Sequence, residues 1–260
     1  HTATYFGTSE NFYNSYYNLD INLPEIDTTK TDNFFGLNLS IKNQINENFQ
    51  WYSSYAKGYK AGGINQYPFL NTESRFFDPE YNLNMELGGR IFWEKLKLNF
   101  AIFKMKRTDL QVQVSSQQVE NDPSSFTYFT SNAGKGTNNG FELEIGVNVL
   151  SNLTINYSFG YLNTHVEEFI YPVGIDTVLT ADSLYYEEIY ESAGDRDLAM
   201  APKLNSSLNI HYAHDSGLFL NGNITSKDKY YFSDSHDQMS NPYSILNLDL
   251  GYRKNNFTIS

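Results

Sequence analysis

Strict alternation of apolar and polar residues runs through several segments of the chain. In residues 141–149 every odd position is apolar and every even position is Glu, Gly or Asn. The same alternation occurs in 35–41, 153–161 and 244–252. A period of two places successive side chains on opposite faces of a β-strand. The sequence therefore predicts strands that have one apolar and one polar face.

The links between the predicted strands fall into two length classes. Strands are predicted near 33–42, 48–59, 83–93, 97–113, 137–149, 153–165, 203–213, 218–231 and 243–253. The short links are 43–47, 94–96, 150–152, 214–217 and 254–256, and the long links are 60–82, 114–136, 166–202 and 232–242. Short turns at one end and long loops at the other are typical of an outer-membrane β-barrel. A soluble β-sandwich also alternates, and it stays open as an alternative.

Composition removes several classes of protein. The chain has 260 residues, of which 16% are aromatic, and a disordered chain would lack those aromatics. It contains no apolar run of about 18 residues, which excludes a helical membrane protein. A net charge of −12 repels a phosphate backbone and disfavours nucleic acid as a partner. The chain has no cysteine and hence no disulfide, thiol nucleophile or cysteine-type zinc site.

The two ends of the chain indicate a longer protein. The sequence begins at His1 without a charged-then-apolar signal segment. Its last residues, 257–260, have the pattern of a strand that is interrupted. We therefore expect both ends to be cuts within a larger polypeptide.

Four segments in order carry a resemblance to a known family. They read WYSSYAKGYKAGGIN at 51–65, FDPEYNLNMELGGR at 77–90, LNFAIFKMKRTDLQVQ at 98–113 and NAGKGTNNGFELEIG at 132–146. Together they resemble the C-terminal half of the barrel of TonB-dependent outer-membrane receptors, over roughly 33–256. The resemblance implies an all-β, transmembrane, antiparallel up-and-down barrel of about 22 strands, closed by an N-terminal plug.

The resemblance also sets expectations for the whole chain. Residues 1–260 would be the C-terminal part of such a barrel, with about ten strands, and the plug domain and final strands would be absent. The implied function is import of a scarce ligand, foremost a ferric siderophore, with energy from the TonB system. A carbohydrate- or cobalamin-importing receptor and a passive porin remain alternatives. The implied partners are outer-membrane lipid, the plug, the TonB complex and the small ligand, in a Gram-negative outer membrane.

Four charged residues are predicted to face the lumen. Glu86, Arg90, Glu142 and Glu144 lie on the polar faces of their strands, where charge costs less than on a lipid-facing side. In the resembled family such side chains face the plug, and the same role is expected here. The alternative is a solvated charge in a water-filled lumen.

Two long loops are candidates for ligand binding, since function concentrates in loops on a rigid scaffold. Loop 60–82 mixes a cation with aromatic rings through Lys60, Tyr67, Phe69 and Phe76. Cation–π contact and stacking would suit an anionic aromatic ligand such as a catecholate siderophore. The alternative is that this loop packs on itself.

Loop 166–202 is acidic and rich in tyrosine. Its candidate ligand-binding residues are Tyr171, Tyr185, Tyr186, Glu187 and Tyr190. Carboxylates and rings suit a cation, or a sugar stacked on the rings. The alternative is an acidic loop that is simply solvated.

Signals for an enzyme are weak. None of the five histidines has a metal-ligand spacing. Ser207 and His211 share a strand face but stand about 13 Å apart, too far for a hydrogen bond. Glu142 and Glu144 are about 7 Å apart on one strand, where carboxylates do not normally flank a sugar. We therefore predict no catalytic residue, no metal site and no cofactor.

Overall fold

The computed structural model describes residues 2–7, 11–14, 19–22, 26–65, 75–117, 126–179 and 184–260, and its regular elements there are all strands. No helix in this part of the chain is long and apolar enough to cross a membrane. The strands are β1 (Thr2–Gly7), β2 (Asn11–Asn14), β3 (Leu19–Asn22), β4 (Ile26–Thr31), β5 (Leu37–Asn46), β6 (Phe49–Lys60), β7 (Gly63–Ile64), β8 (Phe76–Phe77), β9 (Glu80–Trp93), β10 (Leu96–Gln117), β11 (Phe126–Leu150), β12 (Leu153–Val166), β13 (Phe169–Leu179), β14 (Leu184–Ala193), β15 (Leu204–Ala213), β16 (Leu218–Lys227), β17 (Tyr243–Lys254) and β18 (Phe257–Ile259).

Ten of these strands form one antiparallel sheet, which we call the main sheet. Its order is β5, β6, β9, β10, β11, β12, β15, β16, β17 and β18, so neighbours in the sheet follow one another along the chain. Four two-stranded sheets, β1–β4, β2–β3, β7–β8 and β13–β14, lie before it or within its connections. The predicted all-β, up-and-down antiparallel architecture with about ten strands is confirmed.

The main sheet has two chemically distinct faces, which follow from its register. One face, called the apolar face, carries Leu246, Leu248 and Leu250 of β17, and the last two are 66% and 69% exposed. The opposite face, called the polar face, carries Asn247 and Asp249 from the same strand. Large aliphatic side chains are thus exposed along a whole sheet face, which a water-facing surface of an ordinary soluble domain does not show.

Short turns join the strands at one end of the main sheet, which we call the turn end. They cover residues 47–48, 94–95, 151–152 and 255–256, together with the longer link between β15 and β16. In that longer link Gly217 has φ +101, and a Cβ there would lie 2.3 Å from the carbonyl oxygen of Arg253. Only glycine fits this tight return.

At the opposite end, the loop end, the structure corrects several predicted boundaries. Residues 114–136 were expected to be a loop, but β10 runs to Gln117 and β11 begins at Phe126. Loop 166–202 contains the β13–β14 hairpin, β16 ends at Lys227 rather than 231, and the first predicted strand, 33–42, lies at Leu37–Asn46. Polar, Ser- and Gln-rich composition suggested loops there, whereas the strands gain cross-strand hydrogen bonds and packing that composition does not reveal.

Above the main sheet, the ends of β10 and β11 pack with β13 into a compact unit that we call the loop layer. It comprises residues 109–117 of β10, residues 126–134 of β11, Val166 at the end of β12, and the β13–β14 hairpin. Its buried apolar side chains form one cluster: Leu110, Val112, Val114, Phe129, Ala133, Val166, Phe169 and Tyr171. The loop layer therefore has a core of its own.

Candidate functional site

The four predicted lumen residues all lie on the polar face, across three adjacent strands. Glu86 and Arg90 come from β9, Glu142 and Glu144 come from β11, and β10 runs between them. Arg90 pairs in register with Asn99 of β10, and Asn99 pairs with Glu144. The sheet thus brings a guanidinium and three carboxylates onto one patch of one face.

Neighbouring polar groups hold two of these carboxylates. The hydroxyl of Tyr52 donates to Glu86 Oε1 at 2.6 Å, and Asn99 Nδ2 donates to Glu144 Oε2 at 2.9 Å. The Tyr52 ring lies against Gly88, where an added Cβ would meet the ring at 2.5 Å. Any other residue at 88 would push the ring, and with it the hydroxyl, away from Glu86. Alternation predicted the face of these carboxylates but not their partners, Tyr52 and Asn99.

Strands β15 to β17 present a different, almost uncharged section of the polar face. Asn223 Nδ2 donates to Asn209 Oδ1 at 2.7 Å and to Ser207 Oγ at 3.1 Å. Asn221 Nδ2 donates to Asp249 Oδ2 at 2.9 Å. These carboxamides satisfy one another across strands, because the register places them side by side. Alternation predicts that such residues share one face of a strand, but it does not predict which residues on the neighbouring strands they pair with.

His211 lies in this uncharged section. Its Nδ1 is within hydrogen-bond distance of Asn221 Oδ1 on the neighbouring strand. Ser207 is four residues away along β15 and bonds to asparagines instead. The arrangement is that of a hydrogen-bonded wall, and His211 and Ser207 do not form a nucleophile–base pair.

The predicted residues of the first loop are partly described. Lys60 is the last residue of β6 and is exposed, while Phe76 is half-buried in β8 opposite Ile64. Tyr67 and Phe69 lie outside the described residues. Their proposed ligand contacts therefore stay predictions.

The residues predicted in the second loop lie on the β13–β14 hairpin. Tyr171 is 1% exposed and belongs to the apolar cluster, with its hydroxyl 3.4 Å from both Glu191 Oε2 and the carbonyl oxygen of Ser235. Burial raises the pKa of Tyr171, and the nearby Glu191 carboxylate adds to the rise. Tyr190 is half-exposed on β14.

The remaining three candidates in that loop, Tyr185, Tyr186 and Glu187, lie on β14 opposite Val178, Thr177 and Asp176, and their side chains are outside the described part. Of the hairpin side chains that the structure describes, Tyr171 is directed into the core and Tyr190 is the aromatic one at the surface.

A buried polar cluster fixes the connection between β6 and β9, and sequence reasoning did not find it. Glu80 is buried and accepts hydrogen bonds from Arg107 Nε at 2.6 Å and from the Gln111 backbone N–H at 2.9 Å. The side chain of Gln111 donates to the carbonyl oxygens of Ala61 and Asp78, each at 2.9 Å. The charge-assisted bonds to Glu80 hold the β9 end of the connection, and the neutral amide bonds of Gln111 hold both ends against the loop layer.

Arg196 joins two connections at the loop end in the same way. Its guanidinium donates to the carbonyl oxygens of His236 at 2.8 Å and Ser233 at 2.9 Å, and it pairs with Asp237. Its guanidinium carbon also lies 4.4 Å from the centroid of the Tyr231 ring. These partners are 35 or more residues away in the chain, so no local motif indicated them.

The chemistry of the described surface is that of reversible, polar contact. The polar face offers carboxylates, one guanidinium, amides and hydroxyls, and the described residues contain no cluster of three or more His, Cys, Asp or Glu that could hold a metal ion.

At the loop end, a hydrogen bond from Lys203 to Asp197, 3.0 Å away, raises the pKa of that lysine.

Comparison with known proteins finds a matching family model. A family model described as TonB dependent receptor-like, beta-barrel, matches residues 4–260. Among similar solved structures is the ferric yersiniabactin uptake receptor FyuA from Yersinia pestis, with 17% identity and a TM-score of 0.62, covering 90% of this chain and 32% of that one.

Two further structures are similar. The ferric-catecholate import receptor Fiu from E. coli K12 has 17% identity and a TM-score of 0.61, covering 92% of this chain and 31% of that one. The copper transporter OprC has 12% identity and a TM-score of 0.65, covering 97% and 36%. The chain spans about a third of the length of each of these three structures, which contain the same partial-barrel fold.

Proposed function

Since the chain belongs to the TonB-dependent receptor β-barrel family, we propose that it forms part of the wall of an outer-membrane receptor that imports a scarce ligand. The cargo that we propose first is a ferric siderophore, with energy supplied by the TonB system. Siderophore receptors such as FyuA and Fiu are among the similar structures, which supports this order of cargoes.

The observation that carries the proposal is the two-faced main sheet. Its apolar face exposes rows of Leu, Ile and aromatic side chains, as a strand wall needs in contact with hydrocarbon. Its polar face carries the hydrogen-bonded amides and carboxylates that suit a wet or plugged lumen. In a Gram-negative outer membrane the apolar face would contact lipid hydrocarbon, and the polar face would contact water or the plug.

In this proposal the charged section of the polar face receives the plug. Glu86 and Glu144 are held in place by Tyr52 and Asn99, whereas Arg90 and Glu142 are exposed. Fixed carboxylates beside a free guanidinium give a docking surface with defined polarity at low entropic cost.

The loop layer and the neighbouring connections would bind the ligand. Lys60 and Tyr190 present a cation and a ring at the surface, and Phe76 is half-buried in β8 opposite Ile64. We keep Tyr67, Phe69, Tyr185, Tyr186 and Glu187 as candidate contacts on the sequence argument alone. No covalent step is needed, so the proposed role is that of a transporter and not of an enzyme.

The test is uptake of radiolabelled iron by cells that express the full-length receptor and lack other siderophore receptors. We expect uptake from a ferric catecholate that stops when TonB is deleted or the proton-motive force is collapsed. Cobalamin, a maltooligosaccharide and copper serve as alternative cargoes in parallel. Uptake of any of these small solutes that persists without TonB would instead indicate a passive porin.

A further inference from the structure

Part of the polar face forms an almost uncharged surface that we call the amide wall. It consists of the polar-face residues within 154–158 of β12, 207–211 of β15, 221–225 of β16 and 247–249 of β17. Asn156 pairs in register with Asn209, Asn209 with Asn223, and Asn223 with Asn247. Because neighbouring strands lie about 4.8 Å apart, this row of four carboxamides is about 14 Å long.

The carboxamides of the amide wall bond to one another. Asn223 Nδ2 donates to Asn209 Oδ1 at 2.7 Å and to Ser207 Oγ at 3.1 Å. Asn223 Oδ1 accepts from the Thr225 hydroxyl at 3.3 Å and from Asn247 Nδ2 at 3.5 Å. A carboxamide has two donor hydrogens and two acceptor sites, so Asn223 uses its whole capacity inside the wall. These bonds do not depend on a second surface that covers the wall.

The ionisable groups of the amide wall, His211 and Asp249, are bonded within it as well. Asn221 lies between them in register, and its Nδ2 donates to Asp249 Oδ2 at 2.9 Å. Its Oδ1 is within hydrogen-bond distance of His211 Nδ1. The carboxylate of Asp249 therefore has a hydrogen-bond donor before any partner arrives.

The charged section of the polar face, on β9 and β11, makes a different demand on a partner. Arg90, Glu142 and Glu144 are exposed there. A segment that covers them has to bring counter-charges, because a charge that is buried without a partner is costly. Hydrogen bonds that involve charged groups are also about twice as strong as those between neutral groups. A plug is therefore held more tightly at the charged section than at the amide wall.

We propose that the plug separates from the barrel at the amide wall and that the cargo passes along this wall, while the charged section keeps its part of the plug docked. A passage needs contacts that are weak and repeated, since a cargo that binds tightly does not leave. The neutral amides and hydroxyls of the wall meet this need, because they can exchange hydrogen bonds with water or a polar cargo and then bond to one another again. The inference rests on the proposed function and adds to it the side of the lumen that opens.

The experiment compares two serine-to-cysteine variants of the full-length receptor in cells. Ser207→Cys lies on the amide wall, and the matched control, Ser54→Cys, pairs in register with Glu86 of the charged section. Both serines are half-buried, and residues 1–260 contain no cysteine that would add to the signal. Any cysteine elsewhere in the receptor is replaced by serine.

The measurement is the rate of thiol labelling during import. N-ethylmaleimide, a neutral thiol reagent, is added while the cells import ferric 2,3-dihydroxybenzoylserine or, where that complex is not taken up, another of the cargoes named above. The adduct is quantified by mass spectrometry, and the labelling rate with TonB is divided by the rate without it. A ratio taken within one variant cancels the difference in thiol reactivity between the two sites. We expect a ratio of about ten for Ser207→Cys and below about two for Ser54→Cys.

Equal ratios at the two cysteines, or a larger ratio for Ser54→Cys, would overturn the inference. A ratio near one at both sites would do the same, since the wall would then stay covered during import. Uptake of the labelled cargo is followed in the same cells. A receptor that imports a cargo while its two cysteines label alike refutes only the opening at the amide wall. A receptor that imports none of the cargoes refutes the proposed function, and with it the inference.

Discussion

The main sheet and the loop layer use the same kind of strand in opposite ways. In the main sheet, large apolar side chains lie outside, and Ile102 of β10 is 49% exposed. In the loop layer the same strand buries Val114 completely, at 0% exposure. The apolar side chains of the loop layer are therefore covered by other protein side chains, whereas we propose that those of the main sheet contact lipid. Alternation alone identifies a strand, and it does not identify what covers the apolar face.

The change between the two regions occurs within one continuous hairpin. The β10–β11 register runs without a slip on both sides of Asp109, where φ is 52. Asp tolerates this left-handed conformation better than most residues. On β10 the apolar side chains below it are half-buried or exposed, whereas Leu110, Val112 and Val114 above it are buried. Asp109 therefore marks the border between the main sheet and the loop layer on β10.

The largest expected effect concerns the core of the loop layer. Phe129→Ala should cost about 3–5 kcal/mol of local stability, because it leaves a cavity in protein packing. Phe141→Ala on the apolar face of the same strand should cost less than half of that, since lipid tails can refill the space. Hydrogen exchange of both variants in vesicles measures the difference, and equal losses would remove the distinction between the regions.

The next effect concerns the apolar face of β17. Leu248→Arg should destabilise the sheet by about 2–4 kcal/mol if that face contacts hydrocarbon. Asn247→Arg, one residue away on the polar face, should cost under about 1 kcal/mol. Urea unfolding in lipid vesicles provides the measurement. If the two variants unfold alike, the apolar face is not in contact with lipid.

A smaller effect is expected for the connections around the loop layer. Arg196→Ala removes the donors to His236 and Ser233 and should loosen residues 228–242 by about 2 kcal/mol. Lys203→Ala is the control, because its exposed pair with Asp197 is worth about 0–1 kcal/mol. The rate at which an added protease cleaves residues 228–242 in intact cells measures this loosening. The main sheet should stay protected, and its cleavage would show that the regions are not separable.

The smallest effect is a pH dependence of the loop layer. Burial raises the pKa of Tyr171, so its contribution is complete below the pKa of an unfolded tyrosine, about 10. That stability is lost as the pH rises through the higher folded pKa, because the unfolded chain releases its proton first. Between about pH 9 and about pH 11, an interval that brackets the pKa of an unfolded tyrosine, the backbone amides of the loop layer should lose less protection from hydrogen exchange in Tyr171→Phe than in the wild type. Identical profiles of the two proteins would show that this hydroxyl does not matter.

The sequence predicted the main sheet well because alternation is a local signal. The strand faces and the common polar face of Glu86, Arg90, Glu142 and Glu144 follow from a period of two, and the short turns follow from the lengths of the links between the alternating segments. The loop layer was missed, since its cluster joins Val114 and Tyr171 across a long stretch of sequence. Partners such as Tyr52 and Arg196 depend on register and on distant loops, which a single sequence does not encode locally.

The length of the β10–β11 hairpin has a structural consequence. With 22 residues, β10 is about 70 Å long at 3.3 Å per residue, more than twice the thickness of a hydrocarbon layer of about 30 Å. Cross-strand hydrogen bonds tie it to β11 from Leu96 to Gln117. The tip of the hairpin at the loop end and the polar-face residues Asn99 and Glu144 are therefore parts of one hydrogen-bonded ladder.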